Sequence, residues 1–132
     1  MAGLTTHLII ALIGGLIILF SFKQWKWGLG FFIGQLAPDS IRFGITGLFN
    51  GTLDFGKIIT KPLFWTLSFT HYYSAWTLFF ALIFVVLYFL LKKKKINKKQ
   101  FKEWFIADAI LLLGVIVHLI VDKFIIEKSF WI

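Results

Sequence analysis

With 132 residues, 59% of them hydrophobic and 20% aromatic, and a mean hydropathy of +0.87, the chain lacks the polar residues needed to coat a soluble domain. It has no cysteine, which excludes disulfides and thiolate metal sites and leaves His, Asp and Glu as the strong ligand types. The net charge of +8 does not point to nucleic acid, because seven of the fourteen basic residues lie between Lys92 and Lys102, directly after an apolar stretch, where a cytoplasmic membrane loop would stand. A patch for anionic lipid head groups is the alternative use of that cluster.

Residues 4–22 carry no charge beyond that of His7 and match a hydrocarbon core of roughly 30 Å at helical rise, so they predict a first span. No Lys or Arg precedes His7, which argues against a cleaved secretory signal and for a retained span with its N-terminus outside. Lys23, Trp25, Lys26 and Trp27 read as an interfacial hairpin. Residues 28–38 are apolar but short, and they predict a partial span ending at Pro38-Asp39, since proline disfavours helix in the residue before it. Residues 40–61, with Gly44, Gly47, Gly51 and Gly56, predict a broken, interfacial or re-entrant segment that could roof a site.

Residues 72–91 predict the next span, residues 92–102 a basic cytoplasmic loop, and residues 104–126 the last span. The expectation is therefore a single all-α transmembrane domain over residues 1–132: a helical bundle of three full spans, one partial or re-entrant span and an outer interfacial segment. With the loop inside, Lys23 and Lys26 are also inside, while Arg42, Lys57, Lys61, Lys123 and Lys128 are outside. The positive-inside rule then places both termini outside.

At helical rise, Asp39 lies about 21 Å above Trp25, His7 about 24 Å above Lys23, and His118 and Asp122 about 20 to 26 Å above Phe105, all near the outer leaflet. His71 comes out near 30 Å above Leu91, the poorest match. His118 and Asp122 stand at i and i+4, on one helix face. Ionisable groups at such depth are costly unless paired or coordinated, and one divalent cation (zinc, manganese or magnesium) offsets several of these costs at once. Each residue also has a plainer reading. His7 and His71 could be interfacial, Asp39 a helix cap, and Asp122 a neutraliser of Lys123.

Thr6-His7, Gly34-Gln35-Leu36-Ala37-Pro38-Asp39, Thr70-His71-Tyr72 and His118-Leu119-Ile120-Val121-Asp122 occur in that order across nearly the whole chain. This order resembles the LexA-regulated, inner-membrane metal-dependent hydrolase family of bacteria and archaea. The sequence departs from that family's pattern at Ile41, where a second acidic residue is usual, at Thr66-Leu67-Ser68 in place of His-Arg-Gly, and at Tyr72 in place of serine. The resemblance implies a prokaryotic cytoplasmic-membrane hydrolase.

In such an enzyme His7, Asp39, His118 and Asp122 would hold the metal, and His71 would serve as a further ligand or as acid/base. A depth near the outer leaflet favours a lipid or lipid-linked ester or phosphoester as substrate. Arg42, three residues after Asp39, is a candidate for a phosphate head group, with a snorkelling interfacial arginine as the alternative. The competing reading is a non-catalytic membrane protein, with a structural metal or polar network, or a small transport assembly. A transport path would need polar groups continuing toward the cytoplasm, and only Asp108 and a few hydroxyls lie there. No Gly-x-Ser-x-Gly elbow or glycine-rich phosphate loop is present. Gly14-Gly15 suits close helix packing, within the chain or in a homo-oligomer.

Overall fold

The computed structural model describes residues 4–125. In chain order these form α1 (Leu4–Phe22), α2 (Trp25–Asp39), a π-helical turn (Ser40–Gly44), α3 (Ile45–Asn50), α4 (Phe55–Ile58), α5 (Pro62–Thr66), a 3-10 turn (Leu67–His71), α6 (Tyr73–Lys92) and α7 (Lys98–Phe124). No strand occurs among the described residues. Three helices, α1, α6 and α7, are long and apolar enough to cross a membrane. The outward faces of α1 and α6 carry large apolar side chains: Phe20 is 74% exposed and Leu78 63%. A helix apolar all round and left uncovered suits lipid and not water.

Helix α2 packs against α1 on one side and α7 on another, and α6 packs on α7. Glycines set the two α2 contacts. A Cβ at Gly28 would run into the carbonyl of Gly15, and one at Gly34 or Gly114 would strike the backbone of the facing helix. Gly14 likewise leaves room for the Phe31 ring. These glycines therefore serve packing within the chain. Around them Ile18, Trp27, Phe31 and Ile110 bury together, and Trp76, Phe80, Val115 and Leu119 form a second cluster between α6 and α7.

Three boundaries differ from the sequence expectation. Helix α2 starts at Trp25 and does not stop at Pro38; it passes through the π-helical turn directly into α3, so helix is continuous from residue 25 to residue 50. Proline removes one N–H donor and crowds the preceding turn, yet Pro38 stands inside the helix and the chain continues through the π-helical turn. Helix α7 starts six residues before Trp104, because Asn97 and Gln100 form a reciprocal capping box: Gln100 N–H donates to Asn97 Oδ1 at 2.8 Å and Asn97 N–H to Gln100 Oε1 at 2.9 Å. Lys98, Lys99 and Lys102 thus lie on the helix, and the connection after α6 is short. Helix α6 lies within one residue of the expected span. Ile126, the expected last residue of the final span, and Lys128 lie outside the described residues.

Past Gly51 the chain folds back over the end of the bundle. Asp54 caps α4, accepting from the Lys57 N–H at 3.3 Å, which holds its carboxyl below the usual range. Phe43, Ile58 and Phe64 bury a small separate core there. Trp76 Nε1 donates to the Thr70 carbonyl, fixing the 3-10 turn to the start of α6.

Candidate metal centre

Four stretches of chain converge at this end. His7 comes from the second turn of α1, Asp39 from the end of α2, His71 from the 3-10 turn, and His118 with Asp122 from one face of α7. The structure brings all five predicted side chains together. Asp122 Oδ1 lies 3.2 Å from His7 Nε2, and its Oδ2 lies 3.3 Å from His71 Nε2 and 3.5 Å from His118 Nε2. Asp39 Oδ1 lies 3.2 Å from His71 Nε2 and 3.9 Å from His118 Nε2. The rings of His7 and His118 stack at 4.0 Å, and both residues are buried, at 1% and 0% exposure. Asp39 makes no cap hydrogen bond with its side chain, so the capping reading does not apply.

His71 was the poorest height match because it is not on α6. Tyr72 is extended between the 3-10 turn and the helix, so helical rise does not carry back to residue 71, and the chain returns His71 to the level of the others.

Proton bookkeeping on the histidines decides what the cluster can hold. His118 Nδ1 donates to the Gln35 carbonyl at 2.7 Å; a carbonyl only accepts, so Nδ1 carries the hydrogen and Nε2 of the neutral ring is a lone pair. That Nε2 is buried and has no hydrogen bond, and it faces two carboxylates. His71 repeats the pattern. The single hydrogen of the Thr70 hydroxyl goes to the Leu67 carbonyl at 2.9 Å, so the hydroxyl accepts from His71 Nδ1 at 3.2 Å. His71 Nε2 is then also a lone pair directed at Asp39 and Asp122. Acceptors facing acceptors in a buried place require a cation between them, either a second proton on each ring or a metal ion.

The distances are compatible with either, the 3.2 Å contacts being hydrogen-bond distances as well as ligand spacings. Charge-assisted N–H···O contacts run at about 2.7–2.9 Å. Two ligand atoms held about 2.0–2.1 Å from one tetrahedral ion lie about 3.3 Å from each other. The contacts among His7, His71, His118 and Asp122 are 3.2 to 3.5 Å. Two overlapping groups meet the spacing for an ion: His7, His118 and Asp122, and Asp39, His71 and His118.

Gln35, not singled out as a site residue from sequence, supports two of the three histidines. Its carbonyl takes the His118 proton, and its side-chain amide contacts His7 Nδ1 at 3.2 Å. With the amide nitrogen donating to His7 Nδ1, the neutral His7 ring carries its hydrogen on Nε2 and donates it to Asp122 Oδ1 at 3.2 Å, and Gln35 Oε1 is left buried without a partner. Ligating histidines commonly have the other ring nitrogen held by an outer partner, and here every Nδ1 has one. An amide and a hydroxyl carry no charge penalty in an apolar segment, so Gln35 and Thr70 give little signal in the sequence.

Arg42 is buried and does not snorkel. Its Nε donates to the Phe64 carbonyl at 3.0 Å and a terminal nitrogen to Ser68 Oγ at 2.9 Å, while the guanidinium lies 3.8 Å over the Phe64 ring. It thereby braces the π-helical turn against the segment that carries His71. It also lines a cavity of about 360 Å³ with His71, Asp122 and Lys123. Comparison of the chain with protein-family models, curated proteins and solved structures gives no match.

Proposed function

We propose that this chain is a membrane-embedded, metal-dependent hydrolase acting on a lipid or lipid-linked ester or phosphoester near the outer leaflet of a prokaryotic cytoplasmic membrane, as the resemblance to the LexA-regulated hydrolases implies. The observation that carries this reading is the pair of histidine lone pairs, on His71 and His118, directed at the carboxylates of Asp39 and Asp122.

In this reading His7, Asp39, His118 and Asp122 hold a divalent ion, zinc, manganese or magnesium, with His71 beside it. Such an ion supplies Lewis acidity and acidifies water at neutral pH. His71, at 15% side-chain exposure the most open of the three histidines, is the group placed to exchange a proton with a substrate. A purely structural ion would be closed off on every side, whereas the cavity at His71 and Asp122 gives access. The residue 92–102 region and Lys23 and Lys26 face the cytoplasm, both termini lie outside, and α3 to α5 roof the site at the outer interface.

The test is elemental analysis of detergent-purified protein, with His118→Ala and Asp122→Ala prepared in parallel, followed by hydrolysis assays on lipid esters and phosphoesters. Stoichiometric divalent metal in the wild type, lost in both variants, is the expected outcome. Wild-type protein that takes up neither zinc nor manganese on reloading would overturn the proposal. Metal bound without hydrolysis of any ester would make the ion structural.

A further inference from the structure

We infer that the metal ion is held by His71, His118, Asp39 and Asp122, and that His7 stays outside the coordination, where its ring positions Asp122. This rests on the metal reading above and exchanges His7 for His71 in the ligand set that the family resemblance implies. Of the two roles open to His71, ligand or acid/base, it takes the first.

Ring orientation carries the exchange. An imidazole nitrogen binds a metal through a lone pair in the plane of its ring, so two histidines share an ion only where their ring planes meet at it. The rings of His7 and His118 lie face to face, with centroids 4.0 Å apart and planes only 19° from parallel. An ion in the plane of one ring therefore stands well above the plane of the other. The His71 ring is inclined to that of His118 by 62°, with centroids 5.5 Å apart. These planes cross, and both Nε2 atoms face the same two carboxylate oxygens, Asp39 Oδ1 and Asp122 Oδ2.

Hydrogen bonding points the same way. His7 accepts at Nδ1 from the Gln35 amide and donates from Nε2 to Asp122 Oδ1, both at 3.2 Å, and a ring nitrogen that carries a hydrogen has no lone pair for a metal. His71 and His118 are the reverse, with the hydrogen on Nδ1 and the lone pair on Nε2, and His118 Nε2 is buried without a hydrogen bond. Asp122 thus divides its oxygens. Oδ1 takes the His7 hydrogen, while Oδ2 lies 3.3 Å from His71 Nε2 and 3.5 Å from His118 Nε2. Asp39 Oδ1 completes the set, 3.2 Å from the first nitrogen and 3.9 Å from the second. Ligand atoms around a tetrahedral zinc ion stand about 3.3 Å apart. Two carboxylates also cancel the charge of a divalent ion, which an apolar bundle favours. His7 then acts as outer partners of ligating groups do, fixing which oxygen of Asp122 turns to the ion.

The experiment uses the full chain in lipid nanodiscs, loaded with zinc. X-ray absorption at the zinc edge counts the bound imidazoles, and two are expected in the wild type. Nitrogen NMR of the histidine rings in the same sample should show two rings bound through Nε2 with the hydrogen on Nδ1, and a third with its hydrogen on Nε2. His7→Gln should keep both imidazoles and lose about 10–100-fold in zinc affinity, measured by chelator competition. His71→Gln should leave one imidazole or no zinc.

Three imidazoles in the wild type, or a third ring with its hydrogen on Nδ1, would overturn the assignment without any variant. So would an imidazole lost in His7→Gln, or two kept in His71→Gln. In each of these cases the metal reading stands. Wild-type protein that takes up neither zinc nor manganese removes the metal reading and this assignment together.

Discussion

Helix α7 carries two aspartates, Asp108 and, fourteen residues on, Asp122, and the two ends of the molecule treat them differently. Asp122 is met by three histidines and lies against an amide-supported network. Asp108 lines a cavity of about 240 Å³ whose other walls are mostly Trp27, Ile83, Leu87, Ile110 and Leu111, and it has no ion pair among the described residues. Near it the one bridge between elements is Lys26 to Glu103 at 3.7 Å, half exposed on both sides. A carboxylate in an apolar helix is therefore not in itself a sign of a site. What distinguishes Asp122 is the number of separate elements that bring nitrogen atoms to it.

The comparison can be broken most forcefully at Asp122. Asp122→Ala should eliminate bound metal and, by leaving histidines and Asp39 without their partner, lower stability by about 3–5 kcal/mol, read by denaturant unfolding in mixed micelles. Gln35→Ala comes next. It keeps every ligand but releases the His7 ring from its side-chain support, and the expected 10–100-fold loss of metal affinity can be measured by chelator competition. Gly114→Ala sharpens the packing side of the comparison. Its Cβ meets the backbone of Phe31, Gly34 and Gln35, so it should cost about 1–3 kcal/mol in thermal or denaturant unfolding. Asp108→Asn should have the smallest effect, about 1 kcal/mol or less, with metal content unchanged. Equal metal loss in Asp108→Asn and Asp122→Ala would erase the distinction between the two ends.

The spans and the shared level of His7, Asp39, His118 and Asp122 were legible because both follow from counting: apolar length against bilayer thickness, and helical rise from the turns. Counting failed where the chain is not a helix. His71 sits on a 3-10 turn followed by an extended residue, which no rise per residue anticipates. At Pro38 it failed in the opposite sense, because local steric preference was overridden by a buried setting in which Gln35 and Pro38 are both fully enclosed. The start of α7 was hidden by composition: Asn97 and Gln100 carry a capping signature, but they stand in a run of lysines that reads as loop. Arg42 was legible as a cation near the site, not as a brace, since its partners are a backbone carbonyl and Ser68 from a segment far along the chain.

The π-helical turn at Ser40–Gly44 amounts to one surplus residue absorbed without breaking the helix. Phase is what it changes. Every side chain after it is displaced by about 100° from where an uninterrupted α2 would have put it. Arg42 and Phe43 sit inside that turn, and Thr46 and Gly47 just beyond it, and all four are buried. Deleting a single residue there would lengthen a regular α-helix and at the same time swing α3 around its axis, carrying its buried face out toward the surroundings. Residues 25–50 thus behave as two rotors on one shaft, keyed to each other by that one additional residue.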